Sequence, residues 1–299
     1  MADRLQWQRE GRDWPHREAS RFVDAGGLRW HVQVMPARQA ATKSPPPVLL
    51  LVHGTGASTH SWRSALPLLS RSFTVVAPDL PGHGFSGTPP PQGYALPAMA
   101  AALRELLEKL QVTPAIAVGH SAGAAILAWM CLEKMIAPQH LVSLNGALLP
   151  LSGLPGEVFS PLARLLSGSR VIPRLFAWRA ADPAVRERLL RGTGSTIDGE
   201  GSALYGTLMS NAQHAAAALA MMAQWDLRPL QRELPGFSKL PCALTLVVGD
   251  NDRTVSPGES RRVQAMLPGA RLISVGRLGH LAHEERPAEV CDLIERLAA

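Results

Sequence analysis

The sequence predicts an α/β protein with a mostly parallel central sheet, an antiparallel N-terminal hairpin and an inserted helical cap. Short apolar runs alternate with helix-length segments between residues 48 and 134, the pattern of strands joined by helical crossovers. Near the start, two segments of alternating character flank Gly26-Gly27, which is a hairpin signature. Later, the strand-like run ending at Leu144 and the next one, from Leu244, are separated by more chain than a compact domain leaves without secondary structure.

Taken in order, Arg21 to Val34 reads as the hairpin, and Pro36 to Pro47, ending in three prolines, as a linker. Val48 to Val52 is uninterruptedly apolar, as expected of a strand buried on both faces. Phe73 to Ala77 and Ala115 to Val118 are further strands, and Leu96 to Leu110 and Ala122 to Lys134 are the crossover helices. Leu141 to Leu144, Leu244 to Val248 and Arg271 to Val275 continue the sheet, and Ala288 to Leu297 is the closing helix. The chain therefore divides into a core domain, residues 1–147 and 238–299, and a helical cap (lid) domain, 148–237. Helices within the cap are expected at Pro161 to Leu166, Pro183 to Arg191 and Gln213 to Trp225.

Composition narrows the function. A chain of 299 residues, 46% hydrophobic, buries a large core without staples. Its three cysteines, Cys131, Cys242 and Cys291, show no zinc or redox spacing, which fits a reducing, cytoplasmic setting. Met1 to Trp14 is too charged for a secretory signal, and no apolar run approaches the roughly 18 residues that span a bilayer. The net charge of +6 is spread along the chain, and no basic block is interleaved with aromatics, so a nucleic-acid partner is not expected.

The chemistry centres on Gly119-His120-Ser121-Ala122-Gly123, between an apolar strand and an Ala-rich helix. That is the strand-turn-helix setting of a nucleophile elbow, in which small residues at 119 and 123 allow a tight bend and Ser121 projects at the helix N-terminus. A serine hydroxyl needs a base to take its proton, and the base needs a carboxylate to fix its tautomer. His280, after the last strand, is the base. Its rival role, a metal pair with His283 beside Glu284, lacks a third ligand nearby, and no metal or cofactor is expected. Two carboxylates, Asp250 and Asp252, compete for the acid. Asp252 is chosen because it lies past the strand end, in a loop that reaches the histidine, while Asp250 is suited to turn amides.

Backbone N–H groups of Thr55, in His53-Gly54-Thr55-Gly56, and of Ala122 form the expected oxyanion hole. His53 is read first as a brace for that loop, and the turn Asp79 to Ser86 as scaffold. With Gly54, His120, Phe176, Trp178, Met221 and Trp225, His53 also completes the list of expected pocket residues, although packing between cap helices accounts for much of the apolar set. Seven arginines between Arg164 and Arg191, interleaved with apolar residues, make the cap basic and partly amphipathic. Peripheral contact with an anionic membrane is one reading, and a solvated helix face is the commoner one.

Together the elbow, the His53-Gly54 loop, the Asp79 to Ser86 turn, Gly249 to Asp252 and Gly279-His280 resemble the α/β-hydrolase superfamily over nearly the whole chain. Ala124 stands where many relatives have a second glycine. Asp13 to Val23, Leu28 to His31 and His53 to Arg63 further resemble the magnesium-chelatase accessory proteins of bacteriochlorophyll synthesis, the BchO family. The resemblance implies a place in the magnesium-tetrapyrrole branch, a small-molecule substrate such as a porphyrin, chelatase subunits as partners, and a site at or near the photosynthetic membrane. Three functions stay open: hydrolysis of an acyl bond in that pathway; a non-catalytic accessory role toward the chelatase or its porphyrin, since a fold does not fix function; or a general carboxylesterase or carbon-carbon bond hydrolase.

Overall fold

The computed structural model describes residues 4–38, 45–150, 169 and 171–298. Its strands are β1 (Ser20–Ala25), β2 (Leu28–Met35), β3 (Val48–Val52), β4 (Thr74–Pro78), β5 (Ile116–His120), β6 (His140–Leu144), β7 (Ala243–Val248) and β8 (Arg271–Ser274). They form one sheet in the order β1-β2-β4-β3-β5-β6-β7-β8. β1 to β2 and β2 to β4 are antiparallel, and every later pairing is parallel. The hairpin turns at Gly26 and Gly27, both at positive φ, as a two-residue connection between right-twisted strands requires.

The apolar runs are continuous because both faces of the sheet are covered. Along β3, Leu50 and Val52 enter the core on one face while Leu49 and Leu51 enter the other, the two-residue period of a strand. α2 (Leu96–Leu110) and α3 (Ala122–Leu132) cover the first face, and α1 (Ala65–Leu69) and α11 (Pro287–Ala298) cover the second. Each fully buried leucine contributes about 2 kcal/mol of transfer free energy.

Between β6 and β7 the described residues form α4 (Ile172–Ala180), α5 (Pro183–Gly192), α6 (Gly199–Met209), α7 (Ala212–Gln224) and α8 (Arg228–Glu233). α9 (Pro257–Met266) and α10 (Ala282–Glu285) follow. The expected helices over 183–191 and 213–225 match α5 and α7; the one at Pro161 to Leu166 lies outside the described residues. α4 and α8 went unread in the sequence because they are short, and α6 because Gly199, Gly201 and Gly206 interrupt its apolar period. Three cap helices open on side-chain caps: Asp182 to the Ala184 N–H, Asp198 to Gly201, and Asn211 to Gln213 and His214.

All three cysteines are free, Cys131 and Cys291 buried and Cys242 half-buried. Among the described residues, no helix is long and apolar enough to cross a membrane.

β3 lies between β4 and β5, so the chain departs in opposite directions on its two sides. The carboxyl ends of β3 and β5 therefore flank a crevice of the kind where open α/β sheets bind ligands. Both the His53-Gly54-Thr55 loop and Ser121 start from those ends.

Candidate active site

Ser121 sits between β5 and α3 with φ 51° and ψ −117°. For a non-glycine residue this conformation costs about 1–3 kcal/mol and persists only where its surroundings enforce it. Here they do. A Cβ on Gly119 would lie 2.4 Å from the Ala124 nitrogen, and one on Gly123 would lie 2.2 Å from the Val52 carbonyl oxygen. The strand, the helix and the β3 loop thus approach closer than any side chain permits. The Ser121 N–H donates to the Leu144 carbonyl, and its own carbonyl accepts from Ala147.

Gly54 packs directly on the serine, since a Cβ there would meet Ser121 Cβ at 2.8 Å. This packs the His53-Gly54-Thr55 loop against the elbow. Ala122, the first residue of α3, has an N–H with no partner inside its own helix. His53 braces the loop: fully buried, it donates from Nδ1 to the Gly54 carbonyl at 2.8 Å and accepts the Leu80 N–H on Nε2 at 2.9 Å. Burial holds it neutral, with its pKa lowered to about 4 against the pull of Asp79.

The histidine and acid converge on the same crevice. His280 Nδ1 donates to Asp252 Oδ2 at 2.8 Å, and both side chains are buried. Asp252 is saturated with donors: Asn145 Nδ2 reaches Oδ2 at 2.8 Å, and the Thr254 and Val255 amides reach Oδ1 at 2.8 and 2.9 Å. Asp250 is exposed and bonds Ser274 instead. His120, next to the serine, donates from Nε2 to the His280 carbonyl at 2.9 Å, which ties the elbow to the histidine loop. That bond fixes the His120 tautomer and leaves its buried Nδ1 without a partner. The His120 ring lies between those of His280 and His283, with centroids 4.8 and 4.5 Å apart. Burial lowers His120 far below its ordinary value and His283 to about 3.

Sequence reading missed three contributors. Asn145, at the end of β6, takes a positive φ of 46°, which asparagine tolerates and which aims its amide at Asp252. The segment Thr193-Gly194-Ser195 joins the acid and histidine loops. The Thr193 carbonyl accepts from Arg253 and His280, Gly194 accepts the Asn251 side chain at 2.7 Å, and Ser195 Oγ accepts the Leu281 N–H at 2.8 Å. Arg63 pairs with Glu284 and, at 2.8 Å, with Asp198, while Tyr205 donates to Glu284 at 2.9 Å. Burial pushes Glu284 up to about 7 against the pull of Arg63 and Tyr205. Each contact spans a long sequence separation, so no local pattern signals it; only Asn145 carried a hint, in the turn-prone Asn145-Gly146 after a strand.

The expected pocket residues separate into two groups. Met221 on α7 is buried and accepts the Thr55 hydroxyl at 3.4 Å, while His214 on the same helix donates to the Gly56 carbonyl and accepts from Gly84. α7 therefore lies over the β3 loop, and Trp225 follows its last residue, half-buried. Phe176 and Trp178 are elsewhere on α4, 38% and 68% exposed: Trp178 stands on the outer face, because the small residues Pro173, Ala177 and Ala180 take the inner one, and Phe176 lies at the border of the two. The Asp79 turn is scaffold: buried Asp79 accepts from His31, Thr59 and Phe85, and these partners outweigh burial and hold its carboxyl well below the usual range.

A family model described as the alpha/beta hydrolase family matches residues 49–293. The magnesium-chelatase 30 kDa subunit of Rhodobacter capsulatus is 38% identical over 273 residues, 91% of this chain and 92% of that protein. The 2-hydroxy-6-oxo-2,4-heptadienoate hydrolase of Pseudomonas putida is 27% identical over 279 residues, 90% of this chain and 92% of that one. Among solved structures, an alpha/beta hydrolase fold protein from Burkholderia ambifaria superposes with a TM-score of 0.76 at 22% identity, over 92% of this chain and 97% of that one.

Proposed function

The chain belongs to the alpha/beta hydrolase family, and within it to the group of the Rhodobacter capsulatus magnesium-chelatase 30 kDa subunit; from that premise we propose that it is a serine hydrolase with Ser121, His280 and Asp252 as its triad. The observation that carries the reading is the His280–Asp252 hydrogen bond of 2.8 Å, on a histidine whose carbonyl is bound by the residue preceding the strained serine.

Asp252 fixes the proton on His280 Nδ1, leaving Nε2 as the base. Ser121 Oγ attacks the acyl carbon, its proton passes to Nε2, and the oxyanion develops toward the Thr55 and Ala122 amides. His280 then returns the proton to the leaving oxygen or sulfur. Water, deprotonated by the same imidazole, releases the acid and restores the serine.

The substrate we propose is an ester or related acyl bond in a magnesium-tetrapyrrole intermediate, supported by the identity to the chelatase subunit and by the Met221 and α7 surface beside Thr55. A second reading, an accessory protein that binds the chelatase or its porphyrin without catalysis, draws on the same relative's name. Intact-mass analysis after a fluorophosphonate probe separates the two. An adduct on wild type and none on Ser121→Ala supports the hydrolase, and no adduct on either, beside a labelled control hydrolase, favours the accessory reading. A panel of acyl esters and a carbon-carbon bond substrate then sorts the hydrolase classes.

A further inference from the structure

The large hydrophobic side chains exposed among the described residues, Val171, Leu175, Phe176, Trp178 and Leu189, are confined to α4, its first flanking residue and α5. Val171, Leu175 and Trp178 recur at spacings of four and three, so they form one stripe along the outer face of a helix. Arg174 lies to one side of this stripe and Arg179 to the other, both exposed. α4 thus inverts the ordinary surface helix: its small residues face inward and its bulky ones face solvent.

We propose that this face is a docking surface for an anionic lipid bilayer. An apolar stripe flanked by cations suits the boundary between acyl chains and acidic headgroups, where tryptophan sits and arginines reach phosphate. Among the described residues, Arg174, Arg179 and Arg188 have no carboxylate partner. The nearby acids are engaged: Asp182 caps α5 and Glu187 pairs with Arg191 at 2.8 Å. The charge facing a membrane is therefore positive, as the net charge of +6 is overall. α4 packs on α7, and α7 holds the β3 loop through His214 and Met221, so a docked cap places a lipophilic ligand and the crevice on the same side of the bilayer. The surface does not depend on the serine chemistry.

Cosedimentation with phosphatidylcholine vesicles, and with vesicles about one-third phosphatidylglycerol, tests it. Wild type and Ser121→Ala should both bind the anionic vesicles, bind the neutral ones at least tenfold more weakly, and release as salt rises. Leu175→Ser/Trp178→Ser should lose binding at least tenfold with an unchanged melting temperature, since these side chains are already in water. Arg174→Gln/Arg179→Gln should lose about tenfold and flatten the salt dependence. No binding to anionic vesicles, equal binding by the variants, or a self-association that Leu175→Ser/Trp178→Ser abolishes without any lipid binding would overturn the proposal.

Discussion

The nucleophile half of the site is bent by its own glycines and clamped by neighbouring core strands, whereas the acid and histidine loops are also bonded by a segment from between β6 and β7. Around Ser121, Gly119 and Gly123 create the bend, and the neighbouring strand supplies the close contact at Val52. Around His280 and Asp252, Thr193-Gly194-Ser195 bonds both loops from 57 residues away at Asn251 and 86 at Leu281. The first half is local geometry that a short motif encodes. The second adds contacts from a segment that no short motif encodes.

The largest expected effect separates the two aspartates. Asp252→Asn preserves the shape of the loop but presents a donor where His280 Nδ1 donates, so the imidazole loses its tautomer. The rate of fluorophosphonate labelling should fall on the order of 10⁴-fold, the scale seen when a triad aspartate is so replaced. Asp250→Asn, whose carboxylate bonds Ser274 at the surface, should change it less than about threefold. Equal losses from both would sink the assignment.

Acid stability compares the halves next. His53, His83, His214 and His283 are buried with folded pKa values lowered by burial to about 4, 3, 3 and 3. Three of them brace the β3 loop, the Asp79 turn and α7, and His283 packs against His120 and Trp62. In the unfolded chain each protonates near 6.5, so the stability from keeping them neutral is complete above that value and is lost as pH falls. At pH 5.5 each costs about 1.4 kcal/mol, several kcal/mol together. Glu284 works the other way. Its folded value, raised to about 7, makes its contribution complete below about 4.5 and lost as pH rises through 7, so it offsets part of the acid loss. Urea unfolding at pH 7.5 and 5.5 should give a clear drop in midpoint, larger in Glu284→Gln; equal midpoints at the two pH values would contradict the neutral histidine layer.

Gly194→Ala probes those contacts directly. Its φ of +86° and a Cβ 2.0 Å from the Asn251 carbonyl oxygen force the cap segment off both loops. A loss of about 2–4 kcal/mol in stability is expected, with slower labelling at temperatures where the variant stays folded. Normal labelling with lowered stability would mean that the segment staples the fold without orienting His280.

The same division explains what the sequence made legible. Sheet, crossover helices and elbow follow from periods and glycine spacing, which act over a few residues. The strands are found within one or two residues because both faces of β3 to β7 are covered and their runs are apolar throughout. The Asn145–Asp252 bond, the Thr193 to Ser195 staple and the Arg63–Glu284–Tyr205 cluster arise only when distant segments pack. Trp178 illustrates the limit from the other side: an aromatic in a cap suggests a pocket, but Ala177 and Ala180 on the opposite face decide which way the helix turns.

The smallest expected effect tests the oxyanion assignment. Thr55 meets the site in two ways, through its backbone N–H and through a hydroxyl that donates to the Met221 sulfur at 3.4 Å. Valine keeps the size and the amide and removes the hydroxyl. A thioether is a weak acceptor, so Thr55→Val should cost less than about 1 kcal/mol in stability. If the amide is the oxyanion donor, labelling should change less than about threefold, because the donor remains on a loop still braced by His53. If the hydroxyl is the donor, the loss should reach about 10²-fold or more, the scale of removing one oxyanion hydrogen bond. The near-silent outcome is thus the informative one: it would exclude the hydroxyl as donor and leave the backbone of the loop that Gly54 packs against Ser121 as the remaining candidate.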